Sequence, residues 1–335
     1  MKNLYKMMFT ASMIVGTLIA ISSNSWISMW VGLEINLLSI IPLMSNIKNK
    51  MESEAAMKYF ITQAMASTVL MLAIIIMLSN NDILTFNKTY STIMDLAVLT
   101  KMGAAPLHFW FPEVMEGLSW TNSMIMLTWQ KVAPMIIFMY SHKPLMFTTV
   151  IIISSMMISG LMGINQTSLR KILAYSSINH IGWMIAAMIT NQTTWFLYFI
   201  IYTAMTINIT MMLKMMNIFH TNQLINSMNK SKTIKTLFSM NFLSLGGIPP
   251  FIGFFPKWIT INALIQEKMF MLTFIMIMMT LMTLIFYMRI MFASSIVTTS
   301  ENILMNKNTK LNKILISNFV ILSSLSVAPM MISFI

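Results

Sequence analysis

The sequence predicts an all-α polytopic membrane protein, on three observations. Hydrophobic residues fill 57% of 335 positions, charged ones only 9%, and the mean hydropathy is +0.75, which leaves too little polar surface to coat a soluble globule. Apolar runs of about 20 residues, the length a helix needs to cross roughly 30 Å of hydrocarbon, recur along the chain. Two of these runs are interrupted by glycine and proline near their middle, as membrane helices are where they break.

In chain order the runs fall at 3–21, 25–45, 54–78, 91–118, 122–141, 145–163, 170–190, 193–217, 233–264, 268–295 and 312–334, about eleven spans. The first follows Lys2 and Lys6 as a signal peptide would, but no small-x-small cleavage site comes after it and SSNSW leads straight into the next run, so it reads as a retained helix. No segment longer than the loop around 218–235 is polar enough for a separate soluble domain, and a single integral membrane domain over 1–335 is expected.

An odd number of spans puts the termini on opposite sides, and loop charge orients them. One set of ends and loops holds Lys2, Lys6, Lys48, Lys50, Arg170, Lys171, Lys230, Lys232, Lys235, Lys307, Lys310 and Lys313; the other holds Lys88, Lys143 and Lys268. Twelve against three is a strong positive-inside asymmetry, with the N-terminus inside and the C-terminus outside. The net charge of +12 is then a matter of topology, and nucleic-acid binding need not be invoked for it.

The absence of cysteine removes disulfides, Cys-ligated zinc and iron–sulfur clusters from this chain. The 42 methionines are scattered over every span without a motif and read as adaptable packing and lipid-facing residues, not a soft-metal site. No bound cofactor or metal is expected.

Four charges sit inside the apolar runs: Glu34 in MWVGLEINLLSIIP, Lys101 in LAVLTKMGAAP, Lys131 in MLTWQKVAPM and Lys257 in GFFPKW. Each isolated charge at a bilayer centre costs roughly 2.5–3.5 kcal/mol on insertion scales, so such residues are functional candidates. One acid and three titratable amines at membrane depth read as a proton path. The broken spans support this. The first, TKMGAAPLHFWFP, has Gly103 and Pro106; the second, LSLGGIPPFIGFFP, has Gly246, Gly247, Pro249 and Pro250. Freed carbonyls at membrane depth are tolerated only beside protein or water, and transporters place their ion sites there. Both breaks carry G-x-x-P, an aromatic stretch and a closing Phe-Pro (Phe111-Pro112, Phe255-Pro256), with Lys101 before the first and Lys257 after the second. This is a weak internal repeat of two related halves.

Lys131, three residues before Pro134 on the run between the breaks, suits a relay between halves; a snorkelling lysine is the alternative, disfavoured by its mid-span position. His108 and His180 are candidate shuttles, since a histidine titrates near pH 6.5, or equally packed, hydrogen-bonded helix residues. Ser176, Ser177 and His180 fall at i, i+1 and i+4, one polar face able to hold a water chain. Lys58 and Arg289 read as structural or half-channel lining. Asp95 is embedded with no evident partner in the sequence.

Six segments together carry a resemblance: SNSWISMWVGLEINLLSIIPLM (23–44), ESEAAMKYFITQAMAS (52–67), LTKMGAAPLHFWFPEVMEGLSW (99–120), MLTWQKVAPM (126–135), NQTSLRKILAYSSINHIGWM (165–184) and NFLSLGGIPPFIGFFPKW (241–258). In order and spacing they resemble the NADH dehydrogenase subunit 2 family, antiporter-like membrane subunits of respiratory complex I in the form found in animal mitochondria. The likeness covers most of the chain and weakens after about residue 290.

The resemblance implies a fourteen-helix antiporter-like fold lacking its first three helices, with inverted five-helix repeats that each contain one broken helix. It implies roles too: Glu34 pairs electrostatically with Lys101, Lys131 is the central connecting lysine, and Lys257 is the lysine of the second broken helix. His108 and His180 belong to the same central axis. Inside then means the mitochondrial matrix and outside the intermembrane space. NADH, FMN, iron–sulfur clusters and ubiquinone are implied only in partner subunits. The implied partners are other complex I subunits, especially neighbouring antiporter-like ones, and membrane lipids. Two other classes share these features, a self-standing monovalent cation/proton antiporter and a purely structural subunit with inherited charges.

Overall fold

The computed structural model describes residues 2–46, 49–79, 84–141, 144–228 and 232–296. The expected span 312–334 and the loop cations Lys48, Lys143, Lys230, Lys307, Lys310 and Lys313 lie outside the described residues. Among the described residues the chain is helical: α1 (Lys2–Ser22), α2 (Trp26–Met44), α3 (Lys50–Ser79), α4 (Leu84–Met102), α5 (Trp110–Gly117), α6 (Trp120–Leu127), α7 (Trp129–Tyr140), α8 (Leu145–Ile164), α9 (Leu169–Thr190), α10 (Gln192–Met216), α11 (Thr221–Met228), α12 (Lys232–Gly246), α13 (Phe254–Gln266) and α14 (Phe270–Ile296). The one extended pairing found there is an isolated bridge between Ser168 and His220.

Seven described helices, α1, α2, α3, α8, α9, α10 and α14, are long and apolar enough to cross a membrane by themselves, and the chain is a multi-pass membrane protein. Three further expected spans appear as pairs of shorter helices: α4 with α5, α6 with α7, and α12 with α13.

Local chemistry sets the ends. Ser25 caps α2, its hydroxyl accepting from the Ser28 amide at 3.3 Å. α10 ends on Asn217 in the left-handed region at φ 51°, a conformation that asparagine tolerates better than most residues. The interruption of 122–141 departs from the sequence expectation of one continuous helix. At Thr128 the backbone turns to φ −115°, ψ −74°, and the threonine hydroxyl donates to the Met124 carbonyl at 2.8 Å. Such back-bonding bends helices, and Pro134 withholds the amide that the Gln130 carbonyl would ordinarily accept.

The chain forms two compact units, Met1–Ile151 and from Ile152 onward. In the first, α2 lies against α1 and α3, α3 also packs on α4 and α5, and α7 is held by α4, α1 and α2. In the second, α9 is surrounded by α10, α13 and α14, and α12 packs on α14 and α10. The apolar stretch of α9 is 94% buried, so this helix is the axis of its unit. Large apolar side chains such as Met57, Met65, Met146 and Met271 remain exposed on other helices, as on a surface that meets lipid.

Candidate functional site

The two broken spans share their boundaries and the geometry of their helix ends. α4 ends at Met102 and α5 begins at Trp110; α12 ends at Gly246 and α13 begins at Phe254, each boundary displaced by 144 residues from its counterpart. Gly103 and Gly247 both take φ +77°, where a side chain would strain the backbone. The Gly103 amide donates to the Leu99 and Thr100 carbonyls and Ala104 to Leu99; in register, Gly247 donates to Leu243 and Ser244 and Ile248 to Leu243. These are Schellman-type ends, which turn a helix off sharply while satisfying its last carbonyls. The following turn also repeats, Phe111 donating to His108 and Phe255 to Ile252. The weak sequence repeat therefore marks a real structural one, aligned on Gly103 and Gly247.

The lysines use the breaks from opposite sides. Lys101 lies in the last turn of α4. Lys257 lies on α13 and reaches back, donating from Nζ to the Gly246 carbonyl, the last of α12, at 2.8 Å. The Lys257 ammonium thus meets the negative end of a half-helix, where a cation is stabilised by about 0.3–2 kcal/mol depending on burial. Gly247 makes room for this: a Cβ there would come within 2.8 Å of Lys257 Cδ and Nζ. The Lys257 ammonium also stands 5.9 Å from the centre of the Trp183 ring, within reach of a cation–π attraction.

Lys101, Lys131 and Lys257 are 7%, 2% and 5% exposed, so none of them snorkels to a surface. Lys131 sits over Phe111, its amine 5.5 Å from the ring centre, which sets the central lysine against the start of α5. Glu34, the acid expected to pair with Lys101, is half-buried on α2, with Oε1 buried and without a hydrogen-bond partner. Among the described residues Glu34 and Lys101 do not form a contact ion pair, whereas Lys58 pairs with Glu54 at 3.1 Å and Glu113 at 3.0 Å.

Several polar residues absent from the sequence reading complete the first unit's site. Asn36 and Gln130 exchange two amide hydrogen bonds, each 3.0 Å, tying α2 to α7. The Tyr59 hydroxyl donates to Gln130 Oε1 at 3.4 Å. With Gln63 and Lys101 these side chains line a cavity of about 20 Å³. The available signal was position: Asn36 is two residues after Glu34, Gln130 immediately before Lys131, and Tyr59 and Gln63 are one turn apart on one helix.

The histidines part company. His108 lies in the first break, 2% exposed, with Nδ1 3.2 Å from the Pro106 carbonyl. His180 lies on α9 in the second unit, its Nδ1 2.8 Å from the Tyr198 hydroxyl and its ring 4.9 Å from that of Tyr202. On the face of α9 read as able to hold a water chain, Ser176 and Ser177 donate to the Leu173 and Ala174 carbonyls of their own helix, and His180 meets two tyrosines of α10. Tyrosines one turn apart on α10 could have signalled this. Lys58 ties α3 to α5 through Glu113, and Arg289 donates to the Ile164 carbonyl at the end of α8, at 2.6 Å; both are structural links. Asp95, fully buried on α4, is not a lone charge in the fold.

Comparison with known proteins agrees with this architecture. A transmembrane family described as NADH:quinone oxidoreductase/Mrp antiporter matches residues 23–285. NADH-ubiquinone oxidoreductase chain 2 of Anopheles gambiae is 48% identical over 290 residues, covering 85% of this chain and 84% of the relative. That of Locusta migratoria is 46% identical over 283 residues, covering 84% and 83%. Among solved structures, a chain of respiratory complex I from Thermus thermophilus with bound aureothin aligns with a TM-score of 0.85 at 20% identity, over 96% of this chain and 77% of the other. A chain of an Mrp complex from a Dietzia species aligns with a TM-score of 0.73 at 16% identity, over 85% and 59%. With a family match across most of its length and curated relatives near one-half identity, the chain belongs to the NADH:quinone oxidoreductase/Mrp antiporter family, in the branch of the NADH-ubiquinone oxidoreductase chain 2 proteins.

Proposed function

We propose that this chain is a proton-translocating membrane subunit of the NADH:ubiquinone oxidoreductase, complex I, of the mitochondrial inner membrane, with its N-terminus in the matrix. The observation that carries the reading is Lys257, a buried ammonium held on the carbonyl that ends α12 at the second break. A lysine kept inside a membrane protein on a backbone acceptor, with the helix interrupted beside it, can lose and regain a proton without leaving the protein. Lys101 occupies the equivalent helix end in the first unit, with Glu34 supplying a field and Lys131 next along the relay.

In this reading redox chemistry in other subunits shifts the Glu34–Lys101 interaction, and Lys101 responds by giving up its proton toward Lys131 and onward to Lys257. NADH, flavin, iron–sulfur clusters and quinone act in those other subunits. The energy scale is attainable, since moving one charge against roughly 180 mV requires about 4 kcal/mol. That is the range over which a nearby carboxylate changes an amine's proton affinity.

The family's Mrp antiporter members and the Mrp fold match favour a second reading, exchange of a monovalent cation for protons by the chain alone. The two separate in one pair of assays. The assembled complex with Lys101→Met or Lys257→Met is reconstituted and protons are counted per NADH oxidised; the purified chain alone is tested for cation-driven proton flux in liposomes. The relay reading expects lost translocation in the first assay and no flux in the second. An unchanged proton count would make the subunit structural, and exchange by the chain alone would make it an antiporter.

A further inference from the structure

The relay leaves one feature of the first unit unused, the cavity of about 20 Å³ beside Lys101. Its volume suits a single water molecule, which needs upward of roughly 10–15 Å³ and two to four polar partners. Its polar wall is Asn36, Tyr59, Gln63, Lys101 and Gln130, with Pro134 beside them. Asn36, Tyr59 and Gln130 are bonded to one another. Gln63 is not part of that set: it is 4% exposed, and its Nε2 is buried without a hydrogen-bond partner among the described residues. A buried amide donor left in this way is destabilising and is ordinarily satisfied by protein or ordered water. Pro134 adds an acceptor, since it denies the Gln130 carbonyl its regular helical donor.

We propose that Gln63 holds one water molecule against Lys101, making it a positioning residue for the first proton hop of the relay. The water accepts from Gln63 Nε2 and from the Lys101 ammonium, and it donates toward the Gln130 carbonyl. When Lys101 yields its proton, its N–H bond breaks as an O–H bond forms on the water. The water then passes one of its own protons onward along the relay and is restored unchanged. Gln63 fixes the oxygen so that its lone pair meets the ammonium. The inference rests on the relay reading.

The test uses the assembled complex with Gln63→Met, which keeps side-chain length and removes the donor, and Gln63→Asn, which keeps an amide. A map of the wild-type complex that resolves waters should show one within hydrogen-bonding distance of Gln63 and Lys101. Gln63→Met should lose it and slow translocation about tenfold, roughly the worth of one buried hydrogen bond. The pH profile of translocation should move as well, and Gln63→Asn should recover most of the rate. A cavity without density where other waters are resolved overturns the proposal, and so does Gln63→Met translocating at the wild-type rate with an unmoved profile. If Gln63→Met does not assemble, the wild-type map decides. Lys101→Met is measured alongside: normal translocation by that variant defeats the relay itself, whereas normal translocation by Gln63→Met alone removes only the role given to Gln63.

Discussion

The ammonium of Lys257 donates to the carbonyl of Gly246 at 2.8 Å, closing back across a break that occupies residues 247–253. The lysine thereby takes the place of the next helical amide at the end of α12. In the first unit α5 carries no lysine. Lys101 lies in the last turn of α4 itself, and the position in register with Lys257 is Glu113, which binds Lys58 instead. The repeated break thus carries its lysine on different half-helices, before it in the first unit and after it in the second.

Gly247→Ala should displace Lys257. Its Cβ would lie 2.8 Å from the lysine amine, and a φ of +77° costs a non-glycine residue roughly 1 kcal/mol or more besides. Gly103→Ala bears the same backbone cost, but its Cβ meets the Phe111 side chain at 3.3 Å and no amine. Both assembled variants should melt a few degrees lower, and the loss of protons translocated per NADH should be larger for Gly247→Ala. Equal losses would mean that Lys257 does not depend on this pocket.

How far the residues alone foretold the site depends on what each one signals. The breaks were legible because glycine and proline act through the backbone, whatever surrounds them, and the buried lysines were legible because charge is rare in apolar runs. Thr128 gave no such warning, since a threonine bends a helix only when its hydroxyl turns back on the Met124 carbonyl. Gln63, Asn36 and the tyrosines facing His180 were missed for another reason. An uncharged polar residue in a membrane helix is common, and its meaning lies in a partner distant in sequence, as Asn36 with Gln130 shows.

Glu34→Gln keeps the shape of α2 and removes the charge that the proposed relay pairs with Lys101. NADH-driven quinone reduction coupled to translocation should fall, with a milder loss for Glu34→Asp. Wild-type coupled turnover in assembled Glu34→Gln enzyme would sink the pairing.

Asn36→Leu and Gln130→Leu should each destabilise the assembled subunit by about 1–3 kcal/mol, because each leaves a buried amide without its partner. The double variant removes both amides and should cost less than the sum of the two. Thermal unfolding of the four enzymes checks this, and strict additivity would argue against a direct bond.

Exposed Lys50 opens α3 on the side read as matrix, and exposed Lys268 follows α13 on the opposite side. An impermeant amine reagent applied to mitoplasts should label Lys268, and should label Lys50 only once the matrix face is opened. The reverse pattern would invert the orientation drawn from loop charge.

Replacement of Lys257 by two side chains that differ in proton exchange is the most direct test of the relay. Lys257→Met removes a buried charge and about 3 kcal/mol of insertion cost, so the variant should assemble at least as well as wild type. Lys257→Arg retains the charge and a donor for Gly246, but a guanidinium, with a pKa above about 12, does not release its proton in a working cycle. Each assembled enzyme is reconstituted in proteoliposomes and internal acidification is measured per NADH oxidised. A protonation cycle at Lys257 predicts a sharp loss in both variants. Normal pumping by Lys257→Arg would make Lys257 a fixed charge and contradict the relay.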